Sequence, residues 1–107
     1  MRVYLPLTLA LLAELHATGE VRGPEEPFVA DGEDEEAEYA ALEAAADVSA
    51  ALQPHGARRV VLVAEVDSET EPVPLRRVLA VHADVAGARP HDDLAWFATQ
   101  EIPDLLV

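Results

Sequence analysis

The chain has no cysteine and no lysine. The first absence removes disulfides, thiolate metal sites and cysteine nucleophiles together. The second leaves all basic side-chain charge to seven Arg, set against twenty-one Asp and Glu, for a net charge of −14 over 107 residues. Aromatics are also scarce: Tyr4, Phe28, Tyr39, Trp96 and Phe97 are all there are. The five glycines are isolated, so neither GxGxxG nor GxxxxGK occurs and no phosphate-binding loop is encoded. No apolar run reaches the ~18 residues of a membrane span. Met1-Arg2 and the apolar stretch Val3 to Ala13 resemble a secretion signal in outline. Pro6 interrupts that stretch, however, and Glu14 and His16 stand where a small, neutral cleavage region belongs. A cytoplasmic location is therefore expected.

What is present is acid, and it is concentrated. Eleven acids lie between Glu20 and Asp47, with Arg22 as the one base among them. Such a surface repels phosphate, so direct binding of nucleic acid or of an anionic membrane is not expected. Crowded carboxylates also disfavour their own ionisation, which predicts a gain in stability as pH falls from neutral toward about 5. Apolar residues make up half of the chain, mostly Ala, Leu and Val. Ala favours helices and Val favours strands. The Ala-rich, lysine-free usage suits a bacterial protein of high GC content.

The pattern predicts one α/β domain over residues 1–107, with a mixed sheet of three or four strands against about three helices. Arg2–Leu5 reads as a strand ended by Pro6, and Leu7–Ala17 as a helix stopped at Thr18-Gly19. Glu20–Pro27 reads as a loop, with a short edge strand at Phe28–Ala30. Asp34–Leu52 is the clearest helix, with Tyr39, Leu42, Ala46, Ser49 and Leu52 on one face and Pro54-His55-Gly56 after it. Arg58–Asp67 reads as a strand covered on both faces. Ser68–Pro74 reads as a turn. A helical turn then passes into a strand near Leu79. Asp92–Glu101 reads as a last helix, capped by Asp92 or Asp93 and broken by Pro103.

Several groupings bear on function. The run Asp31 to Glu38 is acidic enough to attract a cation, but its spacing is not that of a calcium loop; a solvated helix start accounts for it. The four His have no zinc-site spacing, so neither metal nor cofactor is expected. His82 and Asp84 share a strand face, an arrangement able to orient an imidazole for acid–base work; a surface pair without chemistry is the plainer reading. Arg58-Arg59 and Arg76-Arg77 would make an anion site if they met, and would otherwise neutralise acids such as Glu65. Trp96 and Phe97, with Gln100 close by, are the interaction candidates. Both rings in the core is the plainer reading, and one ring turned toward a partner is the other. The favoured function is a non-enzymatic module that binds a protein partner or itself. A nucleic-acid mimic that blocks a DNA-binding protein and a small enzyme using His82 and Asp84 are the alternatives.

Four segments together look familiar. They are Met1-Arg2-Val3-Tyr4-Leu5-Pro6, Glu38-Tyr39-Ala40-Ala41-Leu42, Arg58-Arg59-Val60-Val61, and the run Trp96 to Leu106 with sequence WFATQEIPDLL. In these the chain resembles a family of small uncharacterised bacterial proteins, a domain of unknown function. The resemblance implies no active site, cofactor or substrate.

Overall fold

The first strand does not stop at Pro6. In the computed structural model, which describes residues 1–54 and 56–107, β1 runs Arg2–Leu7 and pairs antiparallel with β4 (Val60–Glu65), from Arg2 opposite Glu65 to Leu7 opposite Val60. Pro6 is tolerated because β3 (Phe28–Val29) covers β1 only at Val3 and Tyr4. Beyond that point β1 has an open edge, where a missing N–H costs little. His55, expected in the turn after the long helix, lies outside the described residues.

Thr8 starts α1 (Leu9–Thr18) by accepting a hydrogen bond from the Leu11 N–H at 3.2 Å. Leu7, expected at the start of this helix, therefore belongs to the strand. Gly19 ends it at φ 88° and donates its N–H to the Leu15 carbonyl at 2.8 Å. A side chain at that angle is strained, so Gly19→Ala should lower stability by about 1 kcal/mol in a urea melt. The loop expected next holds a further short strand, β2 (Glu20–Val21), paired with β5 (Val73–Pro74) in a separate two-stranded ribbon.

The long helix, α2, spans Glu35–Ala51 and is capped by Asp34, whose carboxylate accepts from the Ala37 N–H at 2.8 Å. Glu35, Glu36 and Glu38 occupy its first turn, where the positive end of the helix dipole favours them. Its buried stripe is Ala41, Ala45, Ala46 and Ser49. Tyr39, expected on that stripe, is half exposed. Only small residues fit where the helix lies flat on the sheet, and the bulky ring is turned to the rim.

A 3-10 turn at Leu75–Arg77 leads into β6 (Val78–Ala83), as the sequence predicts. A bulge opposite Val63 and Ala64 leaves Leu79 unpaired and 45% exposed. The last expected helix is not formed as such. Ala95–Phe97 is a strand, β7, on the free edge of β6. A 3-10 turn at Thr99–Glu101 and a short helix α3 (Ile102–Leu105) follow it. The Glu101 carboxylate accepts from the Ala98 N–H at 2.7 Å and fixes this start. Pro103 opens α3 instead of breaking a helix, since a first-turn N–H has no partner to lose.

The main sheet thus has five strands in the order β3-β1-β4-β6-β7, every pair antiparallel, and three helices pack on it. The sheet is larger than the three or four strands expected. Alternation sorts its side chains into two layers. Val3, Leu5, Leu7, Val60, Leu62, Ala64, Val81 and Ala83 face α1, α3 and the ribbon. Tyr4, Val61 and Val63 face the alanines of α2.

Candidate functional site

Strand geometry separates the two aromatics that a helix would have spread by 100°. Phe97 opposes Val81 and packs against the α1 layer, while Trp96 opposes His82 and is 61% exposed on the other face. Trp96 is therefore not core. Phe97→Ala should cost about 2 kcal/mol, whereas Trp96→Ala should change stability by less than about 0.5 kcal/mol. Urea melts of the two single variants check this. Gln100 is also exposed, on the turn before α3, and takes no part in the surface around Trp96.

That surface is an open cleft of about 340 Å³ between α2 and the β6–β7 end of the sheet. Its floor and walls are Tyr4, Leu42, Val63, Leu79, Ala80, His82 and Trp96, with Tyr39 on the helix side. Arg2, Glu35 and Glu38 stand at the rim. The cleft exists because α2 packs over β1 and β4 and stops short of the last two strands. Tyr39 donates its hydroxyl to Asp93 Oδ1 at 3.0 Å, which ties α2 to the segment entering β7. The Asp93 bond, with Glu43 beside it, pushes the phenol up to about 12, so the ring stays neutral. The Arg2 guanidinium binds Glu38 at 2.9 Å and lies 3.6 Å from Glu65. Burial pushes the His82 imidazole below its ordinary value, so it is neutral at pH 7.

The two arginine pairs do not meet. β4 and β6 are neighbours but antiparallel, so Arg58-Arg59 and Arg76-Arg77 precede opposite ends of one ladder. Arg59 instead binds Asp84 through Nη2 at 2.7 Å, Nε at 2.9 Å and its backbone N–H at 2.9 Å, and reaches the Asp92 carbonyl at 2.7 Å. Arg58 Nε donates to the Asp84 carbonyl at 2.8 Å. Arg77 lies 3.4 Å from Asp67, and Arg76 is exposed beside it. Glu65, expected as a partner of these arginines, is met by Arg2 and by the terminal amine of Met1. Both Asp84 oxygens are engaged by Arg59, and among the described residues no hydrogen bond joins Asp84 to His82. Burial alone would raise the Asp84 carboxyl. The Arg59 side-chain and backbone bonds and the Arg59 and Arg58 charges outweigh it and hold the carboxyl below its ordinary value.

In the run Asp31 to Glu38, Asp34 is the cap of α2 and Glu35 to Glu38 its start, while Asp31 to Glu33 lie in the bend before it. Among the described residues, no group of His, Asp and Glu is placed to hold a metal ion. No helix among the described residues is long and apolar enough to cross a membrane.

Sequence reasoning singled out Trp96 and His82 and missed the rest of the cleft. Tyr39, Leu79 and Tyr4 come from three separate elements, and only the register of β6 and the placement of α2 bring them to Trp96.

A small antiparallel sheet with helices on both faces and an open aromatic cleft defines a compact α and β domain. The chain belongs to a family described as "Family of unknown function (DUF6912)", which it matches over residues 1–92. No curated protein and no solved structure matches it. Most of the cleft, from Arg2 to His82, falls inside the matched residues, and Trp96 falls beyond them.

Proposed function

We propose that this domain is a non-enzymatic interaction module that docks a protein partner on the cleft around Trp96. One observation carries the reading. Trp96 at 61%, Tyr39 at 51% and Leu79 at 45% exposure border one cleft on an uncovered sheet face. Large rings and aliphatic side chains gathered at one place are what a partner buries for affinity. The rest of the fold does not need them exposed: Phe97 already closes the other layer.

The two alternatives have less behind them. Acid–base work by His82 would call for a partner to orient the ring, and the Asp84 carboxylate is occupied by Arg59. A nucleic-acid mimic requires an unbroken acidic face. Arg2 interrupts the acids of α2 at Glu38, and Arg76 and Arg77 lie in a hollow with Glu20, Asp67 and Glu71.

Affinity capture from the source organism tests the docking reading, with wild-type protein and Trp96→Ala run in parallel. Circular dichroism should show both folded. Proteins retained by the first and lost by the second are the expected result. Identical sets, or empty ones, would overturn it.

A further inference from the structure

We infer that the cleft beside α2 receives an arginine- or lysine-bearing segment of the partner, its cation seated against the Trp96 and Tyr39 rings and facing the carboxylates of Glu35 and Glu38. This rests on the docking reading above and names the chemistry of what docks.

Shape sets the scale. A cleft of about 340 Å³, lined by Leu42, Val63, Leu79 and Ala80, takes one or two side chains of an extended or helical segment and not a folded domain. The aliphatic stem of an arginine or lysine suits that floor, with its charged head left at the rim. Ring faces then favour a cation over a neutral group, and tryptophan does so best. Tyr39 contributes as a neutral ring because its proton is held by Asp93.

Charge selects the partner further. Glu35 and Glu38 line the cleft, and Glu43 and Asp93 stand at the Tyr39 hydroxyl. Arg2 is the one arginine in the lining, and it is already bound between Glu38 and Glu65. His82, held neutral by desolvation, adds no positive charge at pH 7. With Arg2 taken up by Glu38 and Glu65, Glu35 has no ion pair among the described residues, and Glu43 and Asp93 add negative charge beyond the lining. A purely apolar segment would strip water from those carboxylates without replacing it. A second copy of this chain is disfavoured for a related reason. A two-fold contact would place the same acids against themselves, between molecules that each carry −14.

Trp96 is the only tryptophan, so its fluorescence reports the cleft directly. Short blocked peptides in which leucine alternates with arginine, glutamine or glutamate serve as probes. Labelled versions followed by anisotropy serve where Trp96 itself is changed. The arginine peptide should change Trp96 emission saturably and bind more weakly as salt rises. Glu35→Gln should weaken it about fivefold. Glu71→Gln, an acid beside β5 and away from the cleft, should leave it within roughly twofold. Trp96→Ala should remove saturable binding.

Equal binding of the glutamine peptide would overturn the cationic partner and leave the docking reading in place. Equal loss from Glu35→Gln and Glu71→Gln would do the same, by showing diffuse attraction only. If no peptide binds at millimolar concentration, concentrated protein decides the rest. Dimers with Trp96 shielded from quenchers would overturn the cationic partner in favour of a second copy. Monomers with Trp96 still open would overturn both readings.

Discussion

Asp84→Ala should lower the stability of the domain by about 3 to 5 kcal/mol, the largest loss expected of any single polar replacement, because it strands a guanidinium. Arg59 gives Asp84 two side-chain bonds and a backbone bond, and its side chain is only 14% exposed. The same guanidinium holds the Asp92 carbonyl, and so fixes the loop that delivers Asp93 to Tyr39 and Trp96 to β7. The double variant Arg59→Leu with Asp84→Ala should recover part of the loss, since it removes the unpaired charge. A double-mutant cycle from urea melts measures the coupling. Acid titration is an independent check. The Asp84 carboxyl sits below its ordinary value of 3.8 when folded. Its contribution is therefore full above that value and is lost as pH falls through the folded pKa. His82 acts in the same sense in a different window: its folded pKa lies below 6.5, so stability declines as pH drops below that point. Between pH 7 and 5 only His82 opposes the gain expected from crowded carboxylates, and Asp84 acts below that window. Below about pH 4 the wild type should lose stability steeply and Asp84→Ala should not. Parallel acid limbs in the two proteins would refute the assignment.

Ser49→Ala should cost about 2 to 4 kcal/mol, an unusual loss for removing one hydroxyl. Ser49 is fully buried in α2. Its Oγ donates to the Leu7 carbonyl at 2.7 Å and accepts from the Val60 N–H at 2.8 Å. It therefore joins the last residue of β1 to the first of β4 from above, where both are fully buried. Without it, two backbone groups lose their partner in a place water does not reach. The measurement that separates this from general loosening is amide exchange. The Val60 N–H should exchange much faster in the variant than the amides at the centre of β4. Uniform acceleration along the strand would show that the hydroxyl matters only through overall stability.

The sequence made some elements plain and hid others for identifiable reasons. α2 was legible at both ends because Asp34, the acidic first turn and the alanine run all favour one helix. β4 was legible because four apolar residues in a row, Val60 to Val63, suit a strand covered on both faces. β7 was not. Asp92 and Asp93 resemble a helix cap, and a three-residue edge strand has no periodicity of its own. What makes Ala95–Phe97 a strand is the free edge of β6, which lies outside the segment. The buried side of α2 was legible in part: Ala46 and Ser49 are buried as the pattern predicts and Leu42 packs beside them, while Tyr39 is not. Tyr39 is the bulkiest apolar residue of the pattern, yet distance to the sheet turns it out and buries Ala41 and Ala45 instead. As for the cleft, Trp96 could be picked out by rarity. Leu79 joins it only because of a bulge that depends on the partner strand.

The pairing of β1 with β4 also governs how the chain can reach this structure. β3 can pair only with Val3 and Tyr4, and the full length from Arg2 to Leu7 finds its partner only at Val60 to Glu65, beyond α1, β2, β3 and α2. A nascent chain must therefore carry Leu5–Leu7 unpaired, and Val3 and Tyr4 paired on one edge at most, until residues 60–65 have emerged. Non-local antiparallel pairing of this kind is slow to close, and an unpaired strand is open to wrong partners meanwhile. Pro6 and the strong acidity of the intervening segment bear on that interval as well as on the native state. A proline spoils the strand as a template for foreign strands, and like charge keeps unfinished chains apart.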